Sequence, residues 1–303
     1  MRKRILAATL ALALLLSLCT AAAADETLEP ITPVAAPKGA ESVPVYLDGL
    51  LLARAYAWGD YVYVDLKPLC SCRDIAMGWS GDGQHFTLKL DGLEVKGEAG
   101  RQYFTADNRY VFAPEDWLIY GGRLYLPLNA LCKLLNLSAA WDGGALMLDG
   151  SSLQLLAGGP DYYDLNYSVE DVYWLSHIIA SEAGIEPMDG KIGVGNVVLN
   201  RVRDPDFPDT VFGVVYDYEH TVQFEPVSKG TIHEEPKPDD RIAACLVLEG
   251  ANTVGDCNYF VNPDFGSSWF DNNLDYVLSI GRHNFYVSKG RDNAGTGTGT
   301  DPS

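Results

Sequence analysis

The sequence predicts an α+β protein in two parts: a small module built from a repeated strand–helix–strand unit, then a helix-rich domain with a short sheet. Three observations carry this prediction. Between residues 43 and 150 apolar residues alternate with polar ones, the period of half-buried strands. Within that stretch Tyr63, Leu66, Leu69, Cys70 and Trp79 recur as Tyr125, Leu128, Leu131, Cys132 and Trp141, each 62 residues later. From Ser168 onward the apolar spacing changes to that of amphipathic helices.

The N-terminus carries a basic stretch, Met1-Arg-Lys-Arg4, then an apolar run from Ile5 to Leu18, then small residues up to Ala24 ahead of Asp25. This order predicts a secretory signal peptide over residues 1–24, with an apolar run too short for a membrane span. Leu18 before Cys19 is bulkier than the small residue a lipobox places there, so lipidation is not expected. Residues 25–42, with Pro30, Pro33 and Pro37, read as an extended linker. Residues 43–150 and 165–287 are the two expected domains. Residues 288–303, rich in Gly and Thr, are expected to be a disordered tail.

The formal net charge is -19, and removal of Arg2, Lys3 and Arg4 takes it to -22. So acidic a surface argues against nucleic acid and anionic membranes as partners, and the mature chain is expected to be exported and soluble. Recognition of an anionic cell wall would have to rest on local shape. Of the six cysteines, loss of Cys19 leaves five, an odd number, so at least one is free or pairs with another molecule. Cys70-Ser-Cys72 lacks zinc-finger spacing, and the histidines lie outside any His-Glu-x-x-His motif, so no metal is expected. Cys245 and Cys257 are either a disulfide formed in an oxidising compartment or two small buried hydrophobes.

Each copy of the repeat has the same order. An alternating strand (Tyr61 to Val64; Leu124 to Leu126) enters a short helix (Lys67 to Ile75; Asn129 to Leu135). A strand follows the Trp (Phe86 to Leu90; Ala145 to Leu148). Cys70 and Cys132 fall on the apolar face of the short helix and read as core residues.

In the second part, Ser168-Val-Glu-Asp171 resembles a capping box. Val172, Leu175, Ile178 and Ile179 then form one stripe of a helix ending near Glu182. Glu186 precedes Pro187, avoids the α region, and is expected to turn away from the helix end. A carboxylate at the C-terminal end of a buried helix faces the negative end of the dipole and an apolar wall. Both favour the protonated form, which suits a general acid near neutral pH. A second helix carries Ile192, Val194, Val197, Val198, Leu199 and Val202, with Gly193 and Gly195 placed for close backbone approach. Asn196 and Asn200 share a face and are either solvated or line a cleft. A further helix spans Asp239 to Glu249, and strands surround Tyr259 and Ile280 to Tyr286.

Two resemblances follow from these residues. Tyr125-Leu-Pro127-Leu128, an apolar helix and Ala140-Trp141-Asp142 resemble the copper amine oxidase N-terminal-like, or stalk, domain. The first copy departs from it at Asp65 and Ser80. The resemblance covers about a third of the chain and implies a spacer or adhesion module, with no copper. The second stretch resembles the cell wall hydrolase family that includes spore cortex-lytic enzymes. Its motifs are Ser181-Glu182-Ala183-Gly184-Ile185-Glu186-Pro187, Val197-Val-Leu-Asn-Arg-Val202, Phe207-Pro-Asp-Thr-Val-Phe-Gly-Val-Val215, Gln223-Phe-Glu-Pro-Val227, Tyr259-Phe-Val-Asn-Pro263 and Ile280-Gly-Arg-His-Asn-Phe-Tyr286. They lie in the family's order over about 115 residues. Gly184-Ile185 stands where the family has Arg-Gly, and Glu225 where it has Ser.

This second resemblance implies a lysozyme-like catalytic domain acting on peptidoglycan glycan strands at the cell wall, without a cofactor, and places the catalytic glutamate at Glu182. Glu182 would protonate the glycosidic oxygen between N-acetylmuramic acid and N-acetylglucosamine. A hydrolase would add a second carboxylate, whereas a lytic transglycosylase uses one Glu as acid and then as base, leaving a 1,6-anhydro end. The resemblance favours the transglycosylase. Gln223, Tyr259, Asn262 and His283 are candidates for holding the sugar, and Glu225 would add a carboxylate near the cleft. The alternatives are an N-acetylmuramoyl-L-alanine amidase and an inactive wall-binding protein. The sequence sets no oligomeric state.

Overall fold

The structure is a computed structural model that describes residues 38–107, 109–156, 167–217, 224–266 and 268–289, all within one compact unit, 36–303. The predicted signal peptide, most of the linker, Gln223 and nearly all of the predicted tail lie outside the described residues.

Strands β1 (Glu41–Leu47), β2 (Leu50–Trp58) and β3 (Tyr61–Asp65) run directly into α1 (Leu66–Cys72). Then come β4 (Ala76–Trp79), β5 (His85–Leu90), β6 (Leu93–Glu98), β7 (Tyr103–Ala106), β8 (Arg109–Phe112) and β9 (Leu118–Tyr120). β10 (Arg123–Pro127), α2 (Leu128–Leu135), β11 (Ser138–Asp142) and β12 (Ala145–Asp149) complete the first part. The strand–helix–strand order therefore occurs twice. β3 and β10 pair antiparallel, with Tyr125 opposite Asp65. The copies diverge after their helices: β11 and β12 rejoin the sheet of β3 and β10, in the order β11-β12-β1-β2-β3-β10-β9, whereas β4 and β5 start a separate sheet, β4-β5-β6-β7-β8.

The matched residues divide by environment. Leu69 and Leu131 are fully buried, Cys70 is buried and Cys132 half-buried, in a core shared with Phe86, Leu88 and Phe104. Tyr63 and Tyr125 meet Tyr56 in a separate cluster. Trp79 and Trp141 are exposed, so the repeated Trp marks a strand position and not a core position. In the first copy Asp65 caps its helix, its Oδ1 accepting from Lys67 N at 3.0 Å, where the second copy has Pro127 and no side-chain cap.

The second part holds α3 (Val169–Ala183), α4 (Met188–Arg203), α5 (Val211–Val215), α6 (Glu225–Lys229) and α7 (Pro238–Leu248). β13 (Tyr259–Val261), α8 (Ser268–Asn273), β14 (Leu274–Ile280) and β15 (His283–Ser288) follow, with the sheet order β13-β15-β14. The capping box forms as expected: Ser168 Oγ accepts from Asp171 N at 3.1 Å, and Asp171 Oδ2 accepts from Ser168 N at 2.9 Å. Leu175, Ile178 and Ile179 bury against α4 and α7. A Cβ on Gly193 would lie 2.8 Å from Phe285, and one on Gly195 2.9 Å from Val247, so these glycines set the packing distance. Asn196 and Asn200 neither line the cleft nor face solvent. Asn196 donates to Ala251 O at 2.7 Å and accepts from Thr253 N at 3.0 Å, and Asn200 donates to Gly255 O and Cys257 O, so together they clamp the 251–257 loop.

The two cores are stitched together. Tyr103, Tyr110 and Phe112 of β7 and β8 pack on the helical core. Gln102 Nε2 donates to both Asp189 oxygens at 3.0 and 3.1 Å. Glu249 receives a two-pronged pair from Arg109 at 2.7 Å each, a hydroxyl from Tyr167 at 3.1 Å, and Lys133 Nζ 3.2 Å away. Burial pushes the Glu249 carboxyl up, but the hydrogen bonds and charge of Arg109, with Lys133, outweigh it and hold it below the usual value. Cys245 and Cys257 are both buried thiols, so the hydrophobe alternative holds there and no disulfide joins them.

Candidate active site

Glu182 lies in the last turn of α3, half-buried, in the wall of a cleft of about 1980 Å³. Tyr259 and Asn262 line the same cleft from β13 and the turn after it, and His283 lines it from the start of β15. Of the sequence candidates, the structure thus gathers Glu182, Tyr259, Asn262 and His283 around one space. Gln223 is outside the described residues, as is the side chain of Glu225. The backbone of Glu225 begins α6, between the cleft-lining Phe224 and Pro226.

The end of α3 is not the bare negative pole expected from the sequence. Lys191, reaching from α4, donates to Ala183 O and Gly184 O at 3.1 Å each and pairs with Asp240. Lys191 and Asp240 are 6% and 1% exposed. A buried ammonium on the last carbonyls offsets the helix-end field at its source.

Glu186 does not turn away. Pro187 ends the helix, yet Glu186 is buried in the cleft wall, where Oε2 accepts from Arg282 N at 2.9 Å. Gly281, at φ +56°, makes this approach possible, because a Cβ there would collide with Oε2. His283 is buried, with no partner for Nδ1 among the described residues. Its ring packs edge-on to Phe260 at 5.2 Å. Burial pushes its pKa below the ordinary histidine value, against the opposing charge of Glu186. The imidazole is therefore neutral at neutral pH.

The sequence reading gave no role to Arg201, which lines the cleft with its guanidinium 5.2, 5.3 and 5.4 Å from the rings of Phe207, Phe224 and Tyr259. Its Nε donates to Asn258 O at 2.8 Å, and burial lowers its pKa to about 10, still well above neutrality. It anchors the rings that form that part of the wall. The motif Val-Val-Leu-Asn-Arg-Val contains it, but an Arg ending a helix pattern gives no sign of facing inward. Asn262 has a structural role beside its place in the cleft: its Oδ1 accepts from Asp264 N at 3.0 Å and starts a 3₁₀ turn. Among the described residues no group of three or more His, Cys, Asp and Glu side chains is placed to hold a metal ion, and no helix is long and apolar enough to cross a membrane.

Residues 185–286 match the Cell Wall Hydrolase family, and residues 50–148 the Copper amine oxidase N-terminal domain. The first match begins just after Glu182. A spore cortex-lytic enzyme of Halalkalibacterium halodurans is 33% identical over 119 residues, which are 39% of this chain and 35% of that protein. One from Oceanobacillus iheyensis is also 33% identical over 119 residues, 39% of this chain and 42% of its own length. The chain therefore spans well under half the length of these relatives. The solved catalytic domain of the germination-specific lytic transglycosylase SleB from Bacillus anthracis is 30% identical, with 40% of this chain and 98% of that one covered and a TM-score of 0.37. The chain thus carries a cell wall hydrolase domain at its C-terminus and a copper amine oxidase N-terminal-like domain before it, and its relatives are spore cortex-lytic enzymes.

Proposed function

We propose that the chain is an exported enzyme that cleaves the bond between N-acetylmuramic acid and N-acetylglucosamine in peptidoglycan, as a lytic transglycosylase with Glu182 as its catalytic group. In this reading residues 43–150 are a supporting module and residues 165–287 a lysozyme-like catalytic domain. The observation that carries it is the position of Glu182 on the wall of the large cleft, at the end of a helix rigidly packed in the second core. Glu182 gives its proton to the glycosidic oxygen as that bond breaks, and the departing sugar leaves as a neutral alcohol. The resulting carboxylate then takes the proton of the muramyl 6-hydroxyl as that oxygen closes on the anomeric carbon, and Glu182 is restored. Tyr259, Asn262 and His283 offer polar groups to the sugar, with Gln223 a further candidate.

One observation favours a second reading. Glu186 brings another carboxylate into the cleft, and two carboxylates around one glycosidic bond are the arrangement of a hydrolase. Mass spectrometry of muropeptides released from purified sacculi separates the two. The transglycosylase leaves 1,6-anhydro ends; reducing muramic ends that vanish in Glu186→Gln or Glu225→Ser would replace it with the hydrolase. Release of stem peptides with intact glycan would instead indicate an amidase, and no release at all a wall-binding protein.

A further inference from the structure

Two large aromatic side chains at the cleft are left open to solvent. Phe265 is 88% exposed and Trp269 59%, and both line the cleft that holds Glu182. Large apolar groups clustered at the edge of a cleft are informative, because burying a side chain of this size removes roughly 150–250 Å² from water. Trp269 is also held in place. It meets Phe270 edge-on at 5.4 Å, and its carbonyl accepts from Asn273 Nδ2 at 2.7 Å. Phe270 in turn lies 5.6 Å from the ring of fully buried Tyr286, whose hydroxyl donates to Asp271 Oδ1 at 2.9 Å. Tyr286 belongs to β15, the strand that starts with His283. Trp269 and the polar cleft wall at His283 are therefore tied to one strand, which limits the ordering cost of binding there.

We propose that Phe265 and Trp269 form a stacking lip that receives the apolar C–H faces and acetamido methyls of sugar rings in the glycan strand. The proposal rests on the reading of the cleft as a glycan-strand site. The occupant follows from continuity and charge. The lip opens into the cleft where the strand is cleaved, and a chain of formal charge -19 has no long-range attraction for an anionic wall. Adhesion must then come from short-range contact, and aromatic faces supply it without regard to the charge of the stem peptides.

The test is steady-state muropeptide release from purified sacculi by wild type, Phe265→Ala, Trp269→Ala and Trp269→Phe, with co-sedimentation of each protein on the same sacculi. Trp269→Ala is expected to raise the apparent KM about tenfold, kcat staying within about twofold, and to lower the bound fraction in parallel; tenfold corresponds to ~1.4 kcal/mol. Trp269→Phe should recover most of the loss, since any aromatic face can stack. Unchanged KM and unchanged sedimentation in both alanine variants overturn the lip. A fall in kcat alone also overturns it. If wild type releases nothing, the glycan-cleaving reading fails by itself, and sedimentation still decides the lip. Light scattering guards against a second copy as the occupant: a dimer that Trp269→Ala converts to monomer overturns the proposal.

Discussion

Replacing Lys191 by Met should destabilise the C-terminal core by about 3–5 kcal/mol, the cost of removing one partner from a buried ion pair. The structure fixes where in that range the loss falls. Asp240, 1% exposed, keeps one hydrogen bond, from Lys237 N at 2.9 Å, which pulls the figure down. Ala183 O and Gly184 O lose their shared ammonium, and each such charge-assisted bond contributes about 1.5–3 kcal/mol, which pushes it up. A loss near 4 kcal/mol is a large part of the ~5–15 kcal/mol typical of a folded domain. Urea unfolding followed by both tryptophan fluorescence and far-ultraviolet circular dichroism measures it, and coincidence of the two probes tests two-state behaviour. Asp240→Leu in the Lys191→Met background removes both charges, and the pair should lose well under the sum of the single losses. A single-variant loss under about 1 kcal/mol, or full additivity, would refute the reasoning.

Glu182→Gln keeps the shape but removes the transferable proton, so sacculus cleavage should fall by at least ~10²–10⁴. Glu186→Gln can still accept from Arg282 N and should cost far less, and equal losses would mean that the two carboxylates act as a pair. Arg109→Ala tests the bridge between the cores through pH. The folded-state pKa of Glu249 lies below its usual value, so its contribution to stability is present above about pH 4.5 and fades as pH falls through the folded value. The melting-temperature gap between wild type and Arg109→Ala should therefore be widest near neutral pH and narrow towards pH 3, whereas a constant gap would assign the loss to packing. In unreduced folded protein a thiol reagent should react first at exposed Cys72, and Cys245 and Cys257 should appear as thiols once urea is added; recovery of a Cys245–Cys257 disulfide would contradict the structure.

The helices of the second part were legible because each carries its own local signals. Ser168 and Asp171 mark a start, Pro187 a break, and the apolar period between them fits a buried stripe. The repeat was legible as local structure, but the sequence could not show that β5 and β12 enter different sheets, because sheet membership depends on long-range pairing. Of the candidate site, the position of Glu182 at a helix end was legible, and the structure puts that end on the cleft wall. The environment of that end was not. Lys191 lies one turn into the next helix and reads as an ordinary surface lysine, and only the packing of α7 brings Asp240 to it. Glu186 was misplaced because the bias of a residue before proline describes its backbone and leaves open where its side chain is buried.

The pairing of β1 with β12 has a mechanical consequence. These are the first and last strands of the module, and they run parallel, with Val45 opposite Leu146 and Leu47 opposite Leu148. The chain enters at one end of this pair and leaves at the other. A pull on residues 41 and 149 therefore acts along the strands in opposite senses and loads their hydrogen bonds together, in shear. Two strands joined as a hairpin and pulled at their free ends would open one bond at a time under a much smaller force. The topology makes the module stiff along the axis on which the chain threads it, so it can pass tension on to the cleft-bearing part without first coming apart.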